Sequence, residues 1–170
     1  MKTIKFFAIA ALFLGFSVNA MAQQEGSATA TAGATIVSPL SISNSRDLNF
    51  GTIVANSENA GTVTLAATSD ATSSATGVTM APGSVSNTAI FTITGDEKRT
   101  FNITMPATVT LAGPGSKTML ITLAKNLDDA NNSLATGGTS TLYVGGSLAV
   151  AANQAAGAYS AEFNVAIAYE

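Results

Sequence analysis

Apolar and polar residues alternate with a period of two along most of the chain. In residues 157–169 the large apolar side chains stand at odd-numbered positions, which are Tyr159, Phe163, Val165, Ile167 and Tyr169. The even-numbered positions between them hold small or polar residues. A period of two predicts a β-strand with one buried face, and Gly157 marks its start. We expect this last segment to be paired into a sheet, with its odd-numbered side chains facing inward.

A second alternating segment lies near the start of the chain. Thr or Gly separates a series of small apolar residues there, namely Ala28, Ala30, Ala32, Ala34 and Ile36. The pattern predicts a strand whose inner face consists mainly of methyl groups. Pro39 interrupts this pattern because proline has no N–H to donate to a ladder.

Between these two segments, short alternating runs are separated by turn residues, and no helical period follows residue 22. Residues 89–94 and 100–105 predict a hairpin with a charged tip, Gly95–Arg99. Gly145 and Gly146 form either a tight turn between two strands or a bulge inside one bent strand. The chain after residue 22 is therefore predicted to be a single all-β domain, residues 23–170, with the fold of an antiparallel β-sandwich.

The first 22 residues have the pattern of a cleaved signal peptide. Lys2 and Lys5 precede an apolar run over residues 6–18, and Ala20-Met21-Ala22 resembles a signal-peptidase site. A transmembrane anchor is the alternative, but the run is shorter than the roughly 18 to 20 apolar residues that a bilayer requires. We expect cleavage after Ala22 and an exported protein, located in the periplasm, on the outer surface or outside the cell.

Composition excludes several classes of function. Seven Lys and Arg residues stand against ten Asp and Glu, and the cations are scattered, so nucleic acid is not an expected partner. The chain has no His and no Cys, which removes the Ser-His-Asp, Cys-His and common zinc sites. Lys98 and Arg99 are interpreted as part of a solvated turn. We expect no enzymatic activity, no cofactor and no membrane span in the mature chain.

One acidic cluster is a candidate metal site. Asp128 and Asp129, with Asn131 and Asn132, are candidate oxygen ligands for Ca²⁺. The spacing fits no EF-hand loop. The alternative is an Asx-rich turn in which these side chains bond to the nearby backbone, so no metal is expected.

Three local patterns resemble a known family: residues 48–51 (Leu-Asn-Phe-Gly), residues 144–148 (Val-Gly-Gly-Ser-Leu) and residues 157–159 (Gly-Ala-Tyr). Together with the alternating close at Tyr169, they resemble the exported bacterial domain of unknown function 4402. The same landmarks are similar to spore coat protein U and to chaperone–usher pilin domains, which are immunoglobulin-like sandwiches. In pilins the last strand has a glycine fourteenth from the end and a penultimate aromatic residue, as Gly157 and Tyr169 are here.

The resemblance implies that the last strand takes part in assembly by β-strand complementation. The expected strand-pairing residues are those of the two alternating segments: Gly157, Tyr159, Phe163, Val165, Ile167 and Tyr169, with Ala28, Ala30, Ala32, Ala34 and Ile36 as donor or closing strand. The alternative is that the last strand of any β-sandwich alternates in this way, whether or not it takes part in assembly.

Two hypotheses for function follow. The first is a non-enzymatic structural protein of the bacterial cell surface, a pilus- or fimbria-like subunit whose partners are other surface subunits or an export chaperone. The second is a self-contained secreted module that binds a glycan or a protein through its loops. The ligand is not identified by the sequence.

Overall fold

The structure is a computed structural model, and it describes residues 25–170. The predicted signal peptide, residues 1–22, lies outside the described residues. The chain divides into two units, with the boundary between Thr35 and Ile36. In the described part of the first unit, residues 25–35 are exposed and have no regular secondary structure. Across the described residues we find no helix with the length and apolarity needed to cross a membrane.

The unit formed by residues 36–170 is built from antiparallel β-strands, with one short 3-10 turn at Pro114–Ser116. The strands are β1 (Ser41–Arg46), β2 (Ile53–Val54), β3 (Gly61–Leu65), β4 (Ser74–Thr76), β5 (Thr79–Met80), β6 (Ala89–Thr94), β7 (Thr100–Thr104), β8 (Thr108–Ala112), β9 (Thr118–Lys125), β10 (Asn132–Ser133), β11 (Thr139–Val150) and β12 (Ala166–Tyr169).

The strand β11 is the centre of the largest sheet. Its first half, residues 139–144, pairs with β6. Its second half pairs with two strands, β3 through residues 146–150 and β9 through residues 144–149. β1 extends this sheet beyond β6, β4 extends it beyond β3, and β8 extends it beyond β9. A second sheet has the order β10-β7-β12, and β2 pairs with β5. This all-antiparallel arrangement is consistent with a β-sandwich.

Two hydrophobic cores lie along β11, one at each end of it. Leu148 and Val150 belong to the first core, which also contains Phe50, Val63, Leu65, Met119 and Ile121. Leu142 and Val144 belong to the second core, with Ala89, Ile93, Phe101, Ile103 and Leu134. A single strand therefore supplies inward-facing residues to both cores, as a period of two requires.

The prediction of an all-β antiparallel fold is confirmed, and the Gly145-Gly146 alternative is resolved in favour of one continuous strand. A Cβ on Gly145 would collide with the carbonyl oxygen of Leu65, and one on Gly146 would stand 2.5 Å from the carbonyl oxygen of Thr122. Two glycines are thus needed where β3 and β9 flank β11. The predicted hairpin of residues 89–94 and 100–105 is wrong, because β6 and β7 belong to different sheets.

The strand predicted over residues 28–36 is not formed. No regular secondary structure occurs over residues 25–40, and the first strand begins at Ser41. The physical reason is the small apolar area that four alanines offer. Burial of methyl groups does not offset the entropy lost when a backbone is ordered, unless a neighbouring strand also supplies a ladder of hydrogen bonds.

The C-terminal strand is shorter than predicted. Only Ala166–Tyr169 is paired continuously, while Ser160 makes an isolated bridge to Ala112. Between these two points the partner chain contains Pro106, which cannot donate to a ladder. Ala166 faces Thr104 and Ser160 faces Ala112, so the register shifts across the proline. In residues 161–165 the odd-numbered side chains Phe163 and Val165 are still half-buried, although the backbone there forms no ladder of hydrogen bonds.

Tyr169 connects three parts of the fold through its hydroxyl group. The Asp96 N–H donates to the Tyr169 Oη at 2.6 Å, and the hydroxyl in turn donates to the Ser38 carbonyl at 3.0 Å. Gly95 allows this arrangement, because a Cβ at that position would collide with the Tyr169 hydroxyl. The hydroxyl thus ties the last strand to the segment that precedes β1 and to the β6–β7 connection.

We predict that Tyr169→Phe lowers the free energy of unfolding by about 1–3 kcal/mol, because it leaves a partly buried N–H without its acceptor. Chemical denaturation of the chain from residue 23 onward measures this change. The matched control is Tyr143→Phe, since the Tyr143 hydroxyl has no hydrogen-bond partner among the described residues. An equal loss in both variants would contradict a specific role for the Tyr169 hydroxyl.

Glu170, the residue after β12, is held in place by two hydrogen bonds. Its backbone N–H donates to the Thr100 carbonyl at 3.2 Å, and its Oε1 accepts from the Asn131 N–H at 2.8 Å. A hydrogen bond from the Thr100 side chain, and then the Asn131 bond, lower the pKa of Glu170 below its ordinary value of 4.5. Both bonds favour the ionised carboxylate.

We predict that the ionised Glu170 carboxylate contributes to the free energy of unfolding. Because its pKa is lower in the folded chain, this contribution is present in full above pH 4.5 and is lost as the pH falls through the folded pKa. Glu170→Gln should therefore be less stable than the parent chain at pH 7, and the gap should shrink in acid. Denaturation midpoints of the parent chain and the variant, measured at pH 7 and in acid below pH 4.5, test this, with Glu162→Gln as control. A gap that does not change with pH would contradict it.

Candidate functional site

The predicted C-terminal residues face inward. Phe163, Val165, Ile167 and Tyr169 are half-buried and pack against the second core. The ring of Phe163 meets that of Phe91 edge to face, with 6.3 Å between the ring centroids. The predicted inward parity is confirmed for these four residues. They cover the core from its edge and do not sit at its centre.

Tyr159 packs at the other end of the segment, against the first core. Its hydroxyl donates to the Ala155 carbonyl and accepts from Gln154 Nε2, both at 2.8 Å. The ring lies over Gly113, where a Cβ would collide with it. Tyr159 is therefore fixed by its hydroxyl on one side and by a glycine on the other.

Gly157 has the backbone conformation that its residue type predicts. Its φ is +146°, and an added Cβ would stand 2.7 Å from Cγ of Pro114. Both features favour glycine here. The chain can thus turn past the 3-10 turn at Pro114–Ser116 and enter the segment that leads to β12.

A groove of about 830 Å³ opens beside this segment. One border is formed by Leu48–Ala55, and the other border is formed by residues 154–161 with Phe163. The inner side is lined by residues of the first core and its margin: Val109, Leu111, Met119, Ile121, Leu148 and Val150. The first core is therefore reached from outside between two extended segments of the chain.

Both borders of the groove contain backbone groups with no hydrogen-bond partner in residues 25–170. Ser160 and Ala112 exchange two hydrogen bonds, at 3.0 and 2.9 Å, and Asn49 and Asn87 exchange two at 2.8 Å. In an extended chain the groups of adjacent residues point in the opposite direction. The backbone N–H and C=O groups of Tyr159 and Ala161 thus point away from β8. No hydrogen bond to the backbone groups of either residue occurs within the described residues.

The same reasoning applies to the other border. The backbone groups of Leu48 and Phe50 point away from Asn87, and they too have no hydrogen-bond partner in residues 25–170. β12 follows the border of residues 154–163 and pairs with β7 on one side only, so it continues that border as an open edge. The groove thus has an apolar inner side and two borders that can each form a ladder with an extended chain.

The residues predicted to supply a donor strand are all exposed. Ala28, Ala30, Ala32 and Ala34 lie in the segment without secondary structure. Ile36 is 95 % exposed, more than the other large exposed hydrophobic residues of the described chain. An isoleucine in this state makes almost no apolar contact, although its burial would contribute about 1.5–3 kcal/mol.

The candidate metal ligands take part in local bonds. Asp129 Oδ1 accepts from Lys125 Nζ at 2.7 Å. Asn132 accepts from the Asp128 N–H and donates to the Asp128 carbonyl, as in an Asx-rich turn. Residues 25–170 contain no group of three acidic or histidine side chains placed to hold a metal ion.

The sequence did not identify the border formed by Leu48–Ala55 or the contribution of Gln154. The available signal for the border was a glycine, Gly51, inside an alternating run. Its φ of +84° shows that the chain bends there. Gln154 follows the turn at residues 152–153, where no periodic pattern exists.

Comparison with known proteins gives one positive result. Residues 40–169 match the family described as domain of unknown function (DUF4402). No curated protein and no solved structure matches the chain. The matched region begins just before β1 and contains β1–β12, both cores and both borders of the groove. The chain therefore belongs to the DUF4402 family.

Proposed function

We propose that this protein is an exported, non-enzymatic structural subunit of the bacterial cell surface that assembles by β-strand complementation. An extended strand from a partner enters the groove between Leu48–Ala55 and residues 154–163. In this proposal the fold is the immunoglobulin-like sandwich of pilins and of spore coat protein U. The assembly is pilus- or fimbria-like.

The observation that carries the proposal is the form of the groove. Its inner side is apolar, and its two borders carry backbone groups that have no hydrogen-bond partner in residues 25–170. A compact ligand such as a sugar would satisfy few of these groups. An extended peptide satisfies both borders at once and places alternate side chains on the apolar inner side.

Energetics also favour an extended strand as the ligand. Each backbone hydrogen bond contributes about 0.5–1.5 kcal/mol, and apolar burial adds about 25 cal/mol for each Å². A chain of alternating small apolar and hydroxyl residues, as in residues 28–36, matches a groove with one apolar face and one face toward water. The same chain alone has no such partner and stays without secondary structure.

We predict that a peptide of residues 27–37 binds the chain from residue 23 onward. Excess peptide should raise the melting temperature by several degrees, because a ligand at 100 times its Kd adds about 2.7 kcal/mol. It should also convert concentration-dependent oligomers into smaller species in size-exclusion chromatography.

Two peptide variants provide the matched controls. Ala32→Asp places a charge on the face directed into the groove and should abolish the effect. Thr31→Asp places the same charge on the opposite face and should leave most of it. A cooperative monomer that ignores all three peptides would contradict assembly and would favour the self-contained binding module.

A further inference from the structure

The outer face of the largest sheet carries a row of hydroxyl groups that crosses five strands. Facing residues of β8, β9, β11, β3 and β4 form this row, which consists of Thr108, Thr122, Ser147, Thr64 and Ser74. The hydroxyl oxygens of Thr64 and Ser147 are 3.4 Å apart. The residues that alternate with them, such as Val63 and Leu148, belong to the first core. The row therefore lies on the side of the sheet that faces away from that core.

A second row lies two positions further along the strands and passes over a depression of about 530 Å³. Its members are Thr110, Leu120, Ala149, Thr62 and Thr76. All of them except Thr76 line the depression, as do Thr118 and Gln154. Ala149 stands between Leu120 and Thr62, and its small side chain leaves the space between them open. The depression thus combines an apolar base with a rim of polar side chains.

The polar groups of this rim are free to bind a ligand. The hydroxyl groups of Thr62, Thr110 and Thr118 make no hydrogen bond to another group within residues 25–170. Gln154 Nε2 donates to the Thr118 carbonyl at 3.3 Å and to the Tyr159 hydroxyl at 2.8 Å, whereas Gln154 Oε1 accepts no bond from this part of the chain. A hydroxyl group can donate and accept, and an amide oxygen can accept. The rim therefore suits a ligand that is itself rich in hydroxyl groups.

The surface around the depression carries no charge. The strand segments that form the two rows contain no charged residue; they are residues 60–65, 74–76, 108–112, 118–124 and 146–151. Lys117 and Lys125 stand at the two ends of β9 and do not line the depression. An ionic ligand would lose hydration here without gaining a counter-charge. The surface is therefore matched to an uncharged ligand.

The composition of the face also argues against a protein as its ligand. Stable protein interfaces bury about 800 Å² on each partner around an apolar centre. Among the described residues of these five strands, Leu120 is the one large apolar side chain that is exposed. A sugar ring fits such a surface better, because it has an apolar C–H face and a polar edge of hydroxyl groups.

The spacing of the rows favours a linear chain of sugars. Neighbouring strands lie about 4.8 Å apart, so a row across five strands is about 19 Å long. Each interval is close to the length of one pyranose unit in a linear glycan. A sheet twists by about 20–25° from one strand to the next, so the row turns by roughly 80–100° from end to end. A single flexible glycan chain can follow this turn, whereas a flat crystalline surface cannot.

We propose that the outer face of this sheet binds a linear, uncharged glycan that lies across the strands. One sugar ring occupies the depression, with its C–H face on Leu120 and Ala149. The hydroxyl groups of the glycan bond to the threonine hydroxyls of the two rows and to Gln154 Oε1. This site goes beyond the proposed function, because its ligand is a sugar and it does not require strand complementation. Failure of either proposal leaves the other standing.

The experiment titrates the chain from residue 23 onward with soluble hexasaccharides. The uncharged probes are cellohexaose, laminarihexaose and mannohexaose, and the anionic probe is hexagalacturonate. Saturation-transfer difference NMR observes the sugar and tolerates oligomers of the protein. At least one uncharged probe should bind with a Kd of about 1 mM or tighter, and hexagalacturonate at least about tenfold more weakly. No binding of any uncharged probe, or equal binding of the anionic one, would overturn the proposal.

A pair of substitutions on one sheet face tests the location of the site. Ala149→Glu places a charge in the depression and should weaken binding at least about tenfold. Ala124→Glu is the matched control, because Ala124 is exposed on the same face of β9 but lies outside the depression. It should leave the Kd unchanged. Equal losses in both variants, or no loss in either, would overturn the assignment to this depression.

A second pair of variants keeps the test independent of folding defects. Thr62→Val combined with Thr110→Val removes two hydroxyl groups and keeps the shape of both side chains. Loss of two hydrogen bonds should weaken binding at least about fivefold. Thr139→Val combined with Thr141→Val, at exposed positions of β11 outside the depression, should have no effect. An unchanged Kd in the first double variant would overturn the role of the threonine rows.

Discussion

The pairing of β11 on both sides is the constraint on which the fold depends. β3 and β9 approach its second half so closely that Gly145 and Gly146 must have no side chains. This close approach keeps a twelve-residue strand in one piece, and that strand joins the two cores. A side chain at either glycine would separate strands that hold both halves of the molecule.

The two cores differ in how they are covered. The second core is covered at its edge by Phe163, Val165, Ile167 and Tyr169, because β12 lies against β7. The first core has only Tyr159 from the same segment, and Leu48–Ala55 lies across from it. Pro106 interrupts the ladder between these regions. The groove therefore lies where the first core is covered by Tyr159 and by Leu48–Ala55, and not by a continuous strand.

The period of two sufficed to predict the all-β class, most strand positions and the inward parity of the last segment, because these depend on local burial. It could not predict that β6 and β7 join different sheets, since this depends on which distant strands pair with each of them. It also predicted a strand at residues 28–36, where the pattern is present but no neighbouring strand is. The groove was not predictable, because its borders are brought together only by tertiary packing.

The bond between Tyr169 and Ser38 has a mechanical consequence. Tension applied through the N-terminal segment enters the folded unit at Ser38 and is shared at once with the last strand. β1 begins three residues after Ser38, and β12 is reached through the Tyr169 hydroxyl, so two strands that pair in different sheets receive that load together. The hydrogen bond must break before β1 alone carries the load.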